Sequence, residues 1–237
     1  GTPLPDGDLT PAEAWQAGAT LARIHETLTD LATGAGRPRG GVRVGTRLLR
    51  ATDPAQAWRE TVAVTPAALN ALRELPELES YLGLLEATAR RLRDDLAGAQ
   101  PALVHGDFGP GNVLMHDDGE WAVVDWDLCD VDLAVWDLAR AIDRSAVVWT
   151  AEAGVPVEVR RSVAQAWLTG YQSVRPLTQG ERDAWPVMLR GAGLRFWTSR
   201  LLDLYKPMAG ELTYTKDPKV FQRLVEAHRF RQEFWLD

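Results

Sequence analysis

Apolar residues recur at helical spacing through most of the chain, and the helix signals between them are specific. Thr10-Pro11-Ala12-Glu13 has the form of a capping box with proline at the first helical position. The helix it predicts runs to about Leu31, with Leu21, Ile24, Leu28 and Leu31 as its apolar stripe. His25 lies beside that stripe and reads as a packed core histidine rather than a ligand. Asp53-Pro54 opens a helix to about Val62, and Thr65-Pro66 opens a short one. Pro76 to about Leu96 is a longer helix. Leu78, Leu82, Leu85, Ala89 and Leu92 face inward there, and the charge run Arg90, Arg91, Arg93, Asp94 and Asp95 forms a solvated face. Further helices are predicted from Asp132 to about Val148 and from Val157 to about Ser173. Thr178-x-x-Glu181 is a second capping box, opening a helix to Tyr205 that Lys206-Pro207 ends. Asp217-Pro218 begins a last amphipathic helix with Val220, Phe221, Leu224 and Val225 inward.

One stretch breaks this pattern. Pro101 to Val104 is a short apolar run, and Val113-Leu114-Met115 and Trp121-Ala122-Val123-Val124 flank Asp117-Asp118-Gly119-Glu120. Two apolar runs around an acidic turn with glycine predict a hairpin. Residues 1–9, rich in proline, glycine and aspartate, show no periodicity and read as a linker or frayed terminus. The rest, residues 10–237, reads as one mostly helical domain.

Composition narrows the class. The chain has 237 residues, of which 46% are hydrophobic, enough to build a sizeable core. A formal net charge of −7 argues against strong nucleic-acid binding through phosphates. No apolar run is long enough to span a membrane, and the start lacks a signal-peptide pattern. The single cysteine, Cys129, has no internal partner and reads as a small buried hydrophobe. Together these features predict a cytoplasmic protein with neither a nucleic-acid nor a membrane partner. The ten tryptophans are scattered and read mostly as packing residues. Residues Thr33 to Gly45 form a glycine-rich loop with Arg37, Arg39 and Arg43, but no G-K-[ST] follows, so a phosphate-cradling loop is disfavoured.

The candidate chemistry falls on the hairpin. His105-x-Asp107 is followed by Asn112 five residues after the aspartate, and Asp125 lies thirteen residues beyond Asn112. This is the spacing of a kinase catalytic loop and its metal-binding aspartate. In that arrangement a carboxylate accepts the proton of an attacking hydroxyl. An asparagine oxygen and a later aspartate hold Mg²⁺ against the nucleotide phosphates. The hairpin would set Asn112 and Asp125 side by side at its open end, and hard oxygen donors are what Mg²⁺ requires. The glycines at 106, 109 and 111 suit a tight loop.

The segment Val104 to Asp137 resembles the aminoglycoside phosphotransferase and choline kinase superfamily, small-molecule relatives of the protein kinases. The resemblance implies an α+β, mostly α, kinase-like C-terminal lobe with a small catalytic hairpin. It implies ATP as co-substrate with Mg²⁺, and a small-molecule hydroxyl acceptor as partner. Asp107 is implied as catalytic base, within the catalytic group of His105, Asp107 and Asp137. Asp137, in Trp136-Asp137-Leu138-Ala139, would be a buried carboxylate bracing the loop. Asn112 and Asp125 are implied as metal ligands, with Asp127 as a further acidic, cofactor-side position. Asp130 and Asp132 read instead as a solvated turn or the N-cap of the next helix.

No lysine precedes Lys206, and residues 1–100 read as helices and loops rather than a five-stranded sheet. On this reading the chain is the C-terminal lobe alone, without the N-terminal nucleotide lobe. Three segments point further, to the kinase-fold (type II) homoserine kinases: Gly170 to Leu177, Leu194 to Asp203, and Lys216-Asp217-Pro218. Phe108-Gly109-Pro110-Gly111 departs from that group, where an acid more often stands at Gly111. Arg195 and Arg200 are open between helix packing and recognition of an acceptor carboxylate or ATP phosphate. The expected reaction is ATP-dependent phosphorylation of a homoserine-like amino alcohol. The alternatives are an aminoglycoside or other sugar-like acceptor, a non-catalytic kinase-like binding module, and a metal-dependent phosphate hydrolase.

Overall fold

A computed structural model describes residues 1–4, 8–28, 87, 101–116, 119–148, 157–205 and 218–229. The helices expected over 53–62, around Thr65-Pro66 and over 76–96, the loop of Arg37, Arg39 and Arg43, and Leu31 fall on residues outside these ranges, save Ala87. Helix α1 spans Pro11–Thr27 and starts as its sequence requires. Thr10 Oγ1 accepts from the Glu13 amide at 3.3 Å, and Glu13 Oε2 accepts from the Thr10 amide at 2.8 Å. The reciprocal cap satisfies two of the amides that a helix start leaves unpaired.

Strands follow around the predicted hairpin. Strand β2 is Pro101–Val104, β3 is Val113–Met115, β4 is Trp121–Val123 and β5 is Asp130–Leu133. Strands β3 and β4 pair antiparallel with Val113 opposite Val123 and Met115 opposite Trp121. Thr2–Pro3 adds an edge strand, β1, against Leu114 and Met115. It lies within residues 1–9, the segment that reads from sequence as a linker or frayed terminus. Leu4 and Leu9 are buried, and the Leu4 amide donates to the Val113 carbonyl at 3.0 Å. Proline is tolerated there because the strand lies at an edge.

Helix α2 spans Ala134–Ala146 and is buried along nearly its whole length. It was expected to begin at Asp132, but Asp130–Leu133 instead forms β5, with Val104 opposite Asp130 and Pro101 opposite Leu133. Val131 and Leu133 alternate with the two aspartates, a period of two that suits a strand once β2 offers an edge. Neither aspartate caps the helix. Asp132 is buried and accepts from the Leu133 amide at 2.8 Å, and Asp130 accepts from the Val131 amide at 2.9 Å.

Two-residue strands β6 (Val147–Val148) and β7 (Glu158–Val159) lead into α3, Arg161–Val174. Helix α4 covers Gln179–Tyr205 and α5 covers Pro218–Arg229. The Thr178-x-x-Glu181 box forms as written, with Thr178 Oγ1 and Glu181 Oε2 accepting each other's amides at 3.2 and 3.0 Å. Helix α5 buries Val220, Phe221 and Leu224, as its pattern predicts.

Helices α1 and α3 lie backbone to backbone. A side chain at Gly18 would strike the Trp167 carbonyl, and one at Gly170 would strike the Trp15 carbonyl. The core then continues from Leu21 and Trp167 through Trp136, Leu138 and Ile142 of α2 to Trp185, Leu189 and Trp197 of α4. Four tryptophans, Trp136, Trp167, Trp185 and Trp197, are fully buried packing residues. Helix α2 is therefore the shared wall of the domain, and its charges face the catalytic loop or the core, with Arg144 keeping a quarter of its side chain exposed.

Candidate active site

The loop from His105 to Asn112 joins β2 to β3 and is fixed from three directions. The first anchor is Asp137, on the first turn of α2. Its Oδ2 accepts from the His105 amide at 2.9 Å and its Oδ1 from the Gly106 amide at 3.0 Å. Gly106 has a φ of +79°, and a side chain there would collide with the Leu128 carbonyl. The loop thus turns at a residue that must be glycine in order to reach the carboxylate. Asp137 is fully buried. Burial alone would raise its proton affinity. The hydrogen bond from His25 and the favourable electrostatics of the surrounding His25, Arg140 and His105 outweigh that, so its pKa lies below the ordinary carboxylate value.

The second anchor is the His105 ring, which is buried. Its Nδ1 accepts from the Asp107 amide at 3.2 Å, and Nε2–H donates to the Val124 carbonyl at 3.0 Å. Both ring nitrogens are engaged by backbone, so the ring ties the loop to the end of β4. It also meets Phe108 edge-on at 5.7 Å and Trp126 at 4.7 Å.

The third anchor is Arg144, on the last turn of α2. Its Nη1 donates to the Asp107 carbonyl at 3.2 Å and pairs with Asp107 Oδ2 at 2.8 Å. The same side chain lies over Gly109, where a Cβ would collide with it. Asp107 is about one quarter exposed, at 24% of its side-chain surface, so an outside molecule can reach it.

Asn112 is buried, and its Nδ2 donates to the Asp107 carbonyl at 2.9 Å and to Asp107 Oδ2 at 3.4 Å. With the nitrogen so engaged, Oδ1 is the amide atom left to accept. The Val124 amide donates to the Asn112 carbonyl at 3.0 Å, which places the exposed Asp125 one residue beyond this pairing. The hairpin therefore brings Asn112 and Asp125 to the same end, as its register predicted. Asp125 has a φ of +63°, and among the described residues no other non-glycine residue adopts a positive φ. Such strain persists where surrounding contacts impose it, and functional sites are where it concentrates. Asp127 is exposed two residues further on. The Trp126 indole between them donates to the Val123 carbonyl at 3.0 Å. Cys129 is half-buried. Burial and the nearby Asp130 push its thiol pKa up, so it is not an activated nucleophile.

The donor set fits Mg²⁺. An amide oxygen and a carboxylate are hard ligands, and Mg²⁺ takes one or two protein oxygens and completes its shell with water and phosphate. Among the described residues there is no group of three or more histidine, cysteine, aspartate or glutamate side chains poised for a metal, so the site does not resemble an all-protein cage.

Behind Asp137 runs a buried polar chain. His25 Nε2 meets Asp137 Oδ2 at 3.2 Å, and His25 Nδ1 meets the Tyr171 hydroxyl at 2.7 Å. Arg175 donates to the Tyr171 oxygen at 3.2 Å and to Glu181 Oε1 at 2.7 Å. Donors run one way: Arg175 to Tyr171, the tyrosine O–H to Nδ1, and Nε2–H to Asp137. His25 is a packed core histidine as expected, but it also braces the loop.

The sequence reading missed Arg140 and Arg144. Asp137, Arg140 and Arg144 stand at i, i+3 and i+7 on α2, one helix face aimed at the loop. Arg140 is buried, and its Nη2 is 4.0 Å from Asp107 Oδ1. Its Nε and Nη2 find no hydrogen-bond acceptor among the described residues. Unpaired buried donors of this kind cost about 1–3 kcal/mol each. Arg195 of α4 is also drawn into this group. Burial, then the charge of Arg140, hold its proton affinity well below the usual arginine range, with Asp107 opposing them.

A family model described as "Phosphotransferase enzyme family" matches residues 2–177. A homoserine kinase of Methylobacillus flagellatus is 41% identical over 124 residues, 52% of this chain and 37% of that protein. A homoserine kinase of Neisseria meningitidis serogroup B is 28% identical over 218 residues, 91% of this chain and 62% of that protein. The chain thus spans between about a third and two thirds of the length of these relatives. Among solved structures, an ethanolamine kinase of Plasmodium vivax superposes with a TM-score of 0.61 at 11% identity, over 98% of this chain and 64% of that one. That likeness establishes a kinase-like fold.

Proposed function

This chain belongs to the phosphotransferase enzyme family, and we propose that it transfers the γ-phosphate of ATP to the hydroxyl of a small amino alcohol, homoserine or a close analogue. The observation that carries this reading is the convergence of Asp107, Asn112 and Asp125 at one end of the β3–β4 hairpin, on a loop pinned by Asp137. The choice of acceptor is supported by the sequence likeness to homoserine kinases.

In this mechanism Asp107 orients the acceptor hydroxyl. Arg144 and Asn112 both engage Oδ2, which leaves Oδ1 to face the incoming hydroxyl. Asp107 is held in place by these contacts. It serves chiefly to position the oxygen, and it takes the proton as the new P–O bond forms and the bond to the β-phosphate oxygen breaks. Asn112 Oδ1 and Asp125 would hold Mg²⁺, with Asp127 adding a carboxylate on the same exposed edge. A metal held there would supply positive charge against the phosphates. His105 and Asp137 act as positioning residues, because their polar atoms meet backbone and His25 rather than solvent. Most of the rate enhancement would come from alignment and charge compensation. Among the described residues no helix is long and apolar enough to cross a membrane.

Calorimetric titration of the full-length protein with MgATP tests the reading. Binding should be saturable and should be lost in Asp125→Ala. Equal binding by that variant would remove Asp125 from the metal site.

A further inference from the structure

Phosphoryl transfer at Asp107 asks for one carboxylate and two metal-side oxygens. It does not ask for the arginines that surround that carboxylate. Arg144 is balanced by its contact with Asp107 Oδ2 at 2.8 Å. Arg140 is not balanced in this way. It is 7% exposed, its Nε and Nη2 lack acceptors among the described residues, and Asp107 Oδ1 is 4.0 Å from Nη2. The charges of Asp137, Asp107 and Asp132 favour it without outweighing its burial, and both oxygens of Asp137 already accept from the loop amides, with His25 meeting Oδ2. Arg195 adds a second under-compensated guanidinium. Its guanidinium lies 5.6 Å from the ring of Phe196, and the charge of Arg140 acts against its own while that of Asp107 favours it. Two neighbouring cations, of which the buried Arg140 has donors without acceptors among the described residues, form a receptor for an anion.

The two oxygens of Asp107 sort that anion from the nucleotide. Oδ2 faces Asn112, on the metal side. Oδ1 faces Arg140, on the side where the acceptor hydroxyl would lie. We propose that Arg140 and Arg195 bind a carboxylate carried by the acceptor itself, so that the substrate is a small hydroxy acid or amino hydroxy acid. This deepens the phosphotransfer reading and rests on it. The spacing suits a short molecule. A hydroxyl about 2.7 Å from Oδ1 and a carboxylate oxygen about 2.9 Å from Nη2 are bridged by a chain of a few carbons. A polycationic acceptor such as an aminoglycoside would meet the same arginines with like charge.

The test compares L-homoserine with L-homoserine amide and 3-aminopropan-1-ol, which keep the hydroxyl and lack the carboxylate. Binding is read by calorimetry and turnover by a coupled assay, in the full-length protein, Arg140→Gln and Arg195→Gln. Homoserine should bind about 100-fold more tightly than either analogue. Each variant should raise the acceptor KM by about 10- to 100-fold, leave the MgATP KM within about threefold, and erase most of the preference for the acid. Arg195→Lys should recover part of it. Arg195→Gln carries the test if the buried Arg140 variant does not fold. Equal binding of acid and amide would overturn the proposal, as would a variant effect confined to the MgATP KM. Turnover of carboxylate-free acceptors alone would sink the carboxylate site and spare phosphotransfer. Arginine-dependent homoserine binding without turnover would do the reverse.

Discussion

Two arginine networks flank the catalytic loop, and they are paired in opposite ways. In the network of Arg175, every partner is itself bonded. Glu181 accepts from Arg175 and from the Thr178 amide, Tyr171 stands between Arg175 and His25, and His25 reaches Asp137. In the network of Arg140 and Arg195, Nε and Nη2 of Arg140 have no acceptor among the described residues. Proton affinities record the difference. Burial lowers that of Arg175, but Tyr171 and Glu181 more than compensate and hold it above the ordinary arginine value. Burial also lowers those of Arg140 and Arg195, and there the neighbouring carboxylates do not make up the loss. A saturated network rigidifies what it touches, whereas an unsaturated one beside a reachable carboxylate is poised for a ligand. The first would position the loop and the second would receive the substrate.

The largest effects should separate chemistry from scaffold. Asp107→Ala should lower kcat by about 10³-fold or more while the melting temperature stays within a few degrees. Steady-state kinetics beside a thermal melt checks this, and retained turnover would take Asp107 out of the mechanism. Asp137→Ala should do the converse at the scaffold. It leaves two loop amides without their acceptor in the interior and removes the carboxylate that His25 Nε2 meets, at a cost of about 3–5 kcal/mol. Denaturant titration should show that loss, and activity should fall along with the loop's order.

Smaller changes sharpen the same contrast. Tyr171→Phe removes the hydroxyl between Arg175 and His25 and should cost about 1–2 kcal/mol, with the acceptor KM little changed. A specific rise in acceptor KM would place Tyr171 in the substrate network instead. Asp137 also predicts a pH dependence. Its folded pKa lies below the unfolded value of about 3.9. Its contribution to stability is therefore fully present above that unfolded value, and it is lost as pH falls through the lower folded value. Asp137→Asn should lower stability at neutral pH and flatten its fall below about pH 4.

Much of the scaffold was legible because its signals are local. The two capping boxes formed as written, and the hairpin register that sets Asn112 beside Asp125 followed from two apolar runs around an acidic turn. What escaped depends on partners distant in sequence. Asp130–Leu133 became a strand because β2 offers it an edge, and Thr2–Pro3 became one because β3 does. The arginines of α2 escaped for a related reason. A charge on a helix is ordinarily read as solvated, and only the burial of α2 on nearly all sides turns Arg140 and Arg144 toward Asp107. The spacing of Asp137, Arg140 and Arg144 carried that signal. Tyr171 and Arg175 lay in a segment already singled out by its resemblance to homoserine kinases, but only the fold reveals that they brace Asp137 through His25.

The most direct measurement is ³¹P NMR of the full-length protein incubated with MgATP and L-homoserine, alongside the Asp107→Ala variant. The account predicts a new phosphomonoester signal growing with ADP, absent in the variant. Inorganic phosphate appearing without a phosphomonoester, or an equal signal from the variant, would contradict it.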